Sequence, residues 1–189
     1  MSNFQDILNS RRTVYHFTNQ EIKDSDLEIA FEAASNAPCH KQTHPWNYYV
    51  IGKKTRESLL PTVILLAEDK HKKNGEIEEK YAARAVSKIL DVPVIIAVTT
   101  KMSPNDSFRE EEDYAATVCS LHNLVLSLWD LGIGSQWSTG AITRHTSTYD
   151  ILKINPDNER IIGFLKIGYP KDIPTKEKKK VFEIRRYLP

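Results

Sequence analysis

Apolar residues recur at helical and strand spacing along this chain. Residues 2–9 predict a short helix, with Ser2 and Gln5 as a capping box. A second helix begins near Ser25, with Glu28 as the capping-box partner. Its residues Leu27, Ala30, Phe31 and Ala34 keep helical spacing, and Pro38 ends it. The apolar run at 48–51, closed by Gly52, predicts a strand, and 56–67 predicts a helix. A helix over 76–90 leads into a strand over 92–100, whose run Val92 to Val98 is the longest apolar segment of the chain. Residues 68–80 are nearly all charged and contain Asn74-Gly75, the pattern of a mobile surface excursion or lid. Residues 104–112 are polar and acidic and read as a loop.

The helix predicted over 113–131 is apolar around most of its circumference. Thr117, Ser120, Asn123, Ser127 and Asp130 fall on one narrow stripe. Such a helix is buried centrally or lies at a subunit interface. His122 falls off that stripe, so it reads as a hydrogen-bonded histidine on packed surface. Residues 134–137 form a short strand or turn, 147–153 a helix and 161–167 a strand. Strands separated by helices imply a layered α/β or α+β arrangement.

The chain has 189 residues, enough for one domain with a core, and its 40% hydrophobic and 27% charged content is that of a globular protein. A net charge of +1 gives no footprint for nucleic acid or a membrane surface, and no apolar stretch is long enough to span a bilayer. The first residues lack the pattern of a signal peptide. Two cysteines, Cys39 and Cys119, make neither a disulfide framework nor a zinc ribbon, which fits a cytoplasmic protein. Seven basic residues against three acidic ones give residues 171–189 a net +4, leaving the rest of the chain at −3. That tail reads as a solvated extension, and nucleic-acid binding through it is the weaker alternative.

Four clusters carry candidate chemistry. Arg11-Arg12-Thr13 offers two guanidinium forks and a hydroxyl, suited to phosphate oxygens or equally to the end of a helix. The stretch from Asn36 to Trp46 packs polar donors between two prolines, as a rigid loop or as a rim for a flat heterocycle. Its prolines keep His40 and His44 off one helix, so they do not form a metal pair, and no metal site is expected. Cys39 and His40 are sequence neighbours and rarely face each other, so no nucleophile–base pair is read there. The segment 132–140, Gly-Ile-Gly-Ser-Gln-Trp-Ser-Thr-Gly, allows close backbone approach to a ligand, or simply ends a helix and starts a strand. It is neither a dinucleotide fingerprint nor a P-loop. The basic tail is the fourth cluster.

The order of these motifs resembles the nitroreductase family of FMN oxidoreductases, in its short single-domain form. The resemblance runs from Arg-Arg-Thr through His40-Lys41, Pro45-Trp46, the apolar helix and the Gly-Ser-x-Trp-Ser-Thr-Gly segment to Gly163-Phe164-Leu165-Lys166-Ile167-Gly168-Tyr169-Pro170. It implies a single domain over 1–189 of α+β class, with a central mixed sheet flanked by helices and an intertwined homodimer holding FMN at its interface. By the same resemblance Arg11, Arg12 and Thr13 hold phosphate and ribityl oxygens. Asn36 reaches the partner's FMN, His40 contacts the cofactor, and Trp137, Ser138 and Thr139 line it from the other side. Lys178 and Lys180 complete the phosphate grip. The implied activity is ping-pong hydride transfer from NAD(P)H through FMN to a small oxidised substrate such as a nitroaromatic or quinone, with no side-chain acid or base required. The alternative is an FMN carrier without turnover. Two positions depart from the family pattern. Tyr15 stands where many members have a cation, and His44 where many have glutamine.

Overall fold

The computed structural model of the chain describes residues 3–72 and 79–189. In chain order the elements are α1 (Phe4–Ser10), α2 (Asp24–Ser35), a 3-10 turn (His40–Gln42), β1 (Trp46–Val50), α3 (Lys53–Lys72) and α4 (Glu79–Leu90). They continue with β2 (Val94–Lys101), α5 (Ser107–Asp130), β3 (Gly134–Ser138), a 3-10 turn (Ala141–Arg144), α6 (Thr146–Leu152), β4 (Glu159–Gly168) and α7 (Val181–Ile184).

The four strands form an α+β sheet in the order β1-β2-β4-β3, antiparallel throughout. Among the described residues, parallel pairing is confined to a bridge between Thr13 and Ser135, so little of the implied mixed character is present. The central strands β2 and β4 are buried along almost their whole length, which explains their unbroken apolar runs. Ile96, Val98, Leu165 and Ile167 pack on one face against Ala30 and Ala34 of α2 and Leu121, Leu124 and Leu128 of α5. Ile95, Ala97 and Phe164 pack on the other face against Leu59 and Val63 of α3 and Ile89 of α4. Arg56 of α3 is buried and donates to the carbonyls of Ile51, Val92 and Pro93, tying α3 to the ends of β1 and β2.

Several predicted boundaries move, each for a local reason. Asn3 caps α1, accepting from the Gln5 N–H at 3.2 Å, in place of Ser2, which lies outside the described residues. At α2 the cap is Lys23 with no side-chain bond, and Asp24 and Asp26 in the first turn face the positive end of the helix dipole. Helix α5 starts six residues before Asp113, because Asp106 accepts from the Arg109 N–H at 2.9 Å and Glu110 accepts from the Ser103 N–H. Residues 107–112, read as loop, are therefore helix. Of the expected excursion at 68–80, residues 68–72 complete α3 and 79–80 open α4; 73–78 lie outside the described residues.

The small polar side chains of α5 face inward. Ser120 is fully buried, donating to the Ala34 carbonyl at 2.9 Å and pairing with the Tyr48 hydroxyl at 2.7 Å. Thr117 donates to the Asp113 carbonyl and pairs with the Thr100 hydroxyl, and Asn123 donates to the Ala33 carbonyl. Ser120, Thr117 and Asn123 thus each find a partner, and the small side chains let α2 approach closely. Burial pushes the Tyr48 phenol up to about 12, a little offset by its bond to Ser120.

Candidate functional site

Helix α1 ends at Arg11, whose N–H bonds the Ile7 carbonyl at 3.1 Å. The chain then runs extended beside β3, with the Val14 N–H donating to the Ser135 carbonyl at 3.0 Å. This approach requires glycine at 134, since a Cβ there would stand 2.5 Å from Val14 Cγ2. In an extended segment alternate side chains point to opposite sides. Arg11 and Thr13 accordingly face one way and Arg12 the other. The Arg12 guanidinium donates to the Asn9 and Arg11 carbonyls, both at 2.8 Å, and so finishes α1. Within the Arg-Arg-Thr cluster it is Arg12 that serves the helix end, which leaves Arg11 and Thr13 as the candidate phosphate donors.

Arg11 and Thr13 line a cavity of about 280 Å³ with Ser135 and Trp137 of β3 and Val118, Leu121, His122 and Val125 of α5. No carboxylate pairs with Arg11 among the described residues. His122 is exposed in the single chain and is not the core histidine expected from its helix position. Partial burial holds its imidazole below the ordinary histidine range, and the charge of Arg11 adds to that effect. An unpaired guanidinium, a second basic group and two hydroxyls around one cavity form a set of donors for an anion. His122 and Ser135 were missed in the sequence. The recurrence of 118, 121/122 and 125 on one helix stripe was the available signal.

The other candidate residues lie elsewhere in the single chain. Asn36 donates to the Glu32 carbonyl at 2.8 Å and finishes α2. His40 Nδ1 lies 3.2 Å from Glu112 Oε1, and Thr43 donates to Asp113 at 2.9 Å, pinning the loop to the start of α5. Glu112 precedes Val118, the first α5 residue of that cavity, by six residues, about 9 Å along the helix. Neither Asn36 nor His40 lines the Arg11 cavity. This loop is strained, with positive φ at Lys41, Gln42 and His44. It turns Cys39 toward His44, Sγ 3.9 Å from Nδ1, and not toward its neighbour His40. Ser138 ends β3, and Thr139 lines a different cavity with Tyr114, Arg144 and Arg160. Lys178 and Lys180 are exposed in the tail and do not line the Arg11 cavity.

Among the described residues no group of three or more His, Cys, Asp or Glu side chains is placed to hold a metal ion. No helix among them is long and apolar enough to cross a membrane.

A model of the nitroreductase family matches residues 8–169. YfhC of Bacillus subtilis (strain 168), provisionally named an NAD(P)H nitroreductase, is 27% identical over 175 residues, covering 93% of this chain and 88% of YfhC. The crystal structure of a nitroreductase-like family protein from Bacillus cereus superimposes with a TM-score of 0.82 at 26% identity, over 100% of this chain and 97% of the other. A provisionally named nitroreductase from Desulfovibrio desulfuricans in complex with FMN has the same fold, with a TM-score of 0.77 at 17% identity over 100% and 98% of the two chains. With its strand order, its Arg11 cavity and the family match over most of its length, this chain belongs to the nitroreductase family.

Proposed function

We propose that this chain, as an NAD(P)H-dependent flavin oxidoreductase of the nitroreductase family, seats FMN with its phosphate and ribityl end in the Arg11 cavity and reduces a small oxidised substrate such as a nitroaromatic or quinone. The observation that carries this reading is Arg11, unpaired beside Thr13, Ser135 and Trp137 and pressing on His122. A phosphate monoester supplies the missing negative charge there, and the two hydroxyls suit ribityl oxygens. Apolar Leu121 and Val125 and the indole of Trp137 suit the neighbouring ring system. When bound, FMN supplies the two-electron relay between NAD(P)H and the oxidant, each using the pocket in turn.

The residues of this chain bind and orient. Arg11 holds the phosphate, and Trp137 with Ser138 walls the ring. Arg12 supports the grip indirectly by fixing the end of α1. A cavity of about 280 Å³ suits one end of a flavin, and a second copy of the chain completes the site. An intertwined homodimer is supported by the apolar residues left uncovered, with Phe108 70%, Phe182 69% and Leu188 89% exposed. In that dimer Asn36 and His40 serve the partner's flavin, and Lys178 and Lys180 reach a phosphate.

Steady-state turnover tests the activity, with NADH and NADPH each varied against a nitroaromatic and a quinone. Parallel double-reciprocal lines are expected. Intersecting lines contradict alternate use of one pocket, and flavin-loaded protein without turnover contradicts the enzyme in favour of a carrier.

A further inference from the structure

The groove that Thr139 lines, of about 1360 Å³, adjoins the Arg11 cavity along two elements. On α5, Tyr114 in the groove stands one helical turn before Val118 in the Arg11 cavity, on the stripe continued by His122 and Val125. On the β3 side, Ser135 and Trp137 line the Arg11 cavity, and Thr139 and Gly140 line the groove. Trp137 is the border, since its Nε1 donates to the carbonyl of Ile162, a residue of the groove. A ring system walled by Trp137 therefore opens at its far end on this groove. Arg160 lies there with its guanidinium 5.2 Å from the centroid of the Tyr114 ring. That stacking occupies one face of the guanidinium and leaves its N–H edge for a ligand. Arg144 lines the same groove, and neither arginine is in an ion pair among the described residues. His145 Nδ1 accepts from the Ser147 N–H at 3.3 Å, so the neutral imidazole presents its Nε2–H as a further donor. Asp150 is the one carboxylate among the described residues of the lining. Two guanidinium forks and an imidazole N–H beside an aromatic face suit the carboxylate of an aromatic molecule.

We propose that the oxidant reduced at the flavin is an aromatic carboxylate, with its carboxyl group on Arg144 and Arg160 and its reducible end toward Thr139 and Gly140. This names the substrate class of the site already proposed and rests on the flavin reading. The arginines set which end of the molecule faces the flavin, and they act as positioning and specificity residues. The carboxylate takes no part in the reaction. For a nitro compound, NAD(P)H and one solvent proton give NAD(P)+, the nitroso compound and water, and the carboxylate leaves unchanged.

Isothermal titration of FMN-loaded protein with 4-nitrobenzoate and 4-nitrobenzamide, in the absence of NAD(P)H, reads binding apart from turnover. The benzoate is expected to bind about tenfold tighter than the amide. The same ratio should appear in kcat/KM, carried by KM. Arg160→Gln and Arg144→Gln should each lower the ratio about threefold, and the double variant should bring it near one. Both arginines are exposed, so the variants are expected to fold, and the single variants decide if the double does not. A ratio near one in the parent, or a ratio unchanged in the variants, overturns the proposal. So does a drop confined to the NADPH-over-NADH ratio of kcat/KM, which assigns the arginines to the electron donor. FMN-loaded protein without the preference overturns this inference alone, whereas protein that takes up no FMN overturns the flavin reading with it.

Discussion

The indole of Trp137 lies directly over the α-carbon of Gly163, and its Nε1 donates to the Ile162 carbonyl at 3.2 Å. This contact joins two motifs far apart in sequence and fixes one wall of the Arg11 cavity. A Cβ at 163 would strike the indole before any other group. Gly163→Ala is expected to displace the ring, to cost about 1–3 kcal/mol in denaturant unfolding, and to weaken FMN binding. Because the closest clashes are with the ring, and the Ser138 carbonyl stands farther off at 3.2 Å, adding Trp137→Ala should remove most of the extra cost of Gly163→Ala. Additive losses in that double-mutant cycle contradict the contact.

Arg11→Gln is expected to weaken FMN binding at least tenfold, read by fluorescence titration, whereas Arg12→Gln should change it far less. His122 gives a second readout. Burial is the larger cause of its lowered pKa and persists in the variant, while the push from Arg11 is removed. Its pKa should therefore rise part of the way toward the ordinary value, followed by NMR titration.

The tail carries the third prediction. Lys178→Ala with Lys180→Ala should raise the FMN dissociation constant severalfold and flatten its dependence on ionic strength. Unchanged affinity removes the tail from the phosphate grip and leaves the rest of the site intact.

Burial and the charge of Lys88 push the Lys166 ammonium down, so this group governs stability at alkaline pH. Its folded pKa of about 8 lies below the ordinary value of 10.5, so between these pH values the unfolded chain binds more protons. Stability from this group therefore rises as pH increases through that window and is lowest below it. Lys166→Met should be more stable than the parent at pH 7 by up to about 3 kcal/mol, with the difference shrinking toward pH 10. Denaturant melts across that range check the sign.

The sheet core was legible because β2 and β4 are covered on both faces, which writes a continuous apolar run into the sequence. The start of α5 was not, because Pro104-Asn105 reads as a loop while the cap that begins the helix, Asp106, is a single side-chain bond. Within the site, the chemistry of Arg11 and Thr13 was readable, but the division of labour with Arg12 depends on which way an extended segment turns. His122 was misplaced for a related reason. Helical spacing says which residues share a stripe, yet the neighbours decide which stripe stays open. Neither Asn36 nor His40 lines Arg11's cavity in the single chain, a separation no motif order reveals.

Flavin binding is the most direct test. Purified protein, titrated with FMN where it lacks flavin, should hold one FMN per chain. The bound flavin absorbance should bleach on anaerobic addition of NAD(P)H and return with a quinone. A colourless protein that gains no flavin absorbance after mixing with FMN contradicts the account.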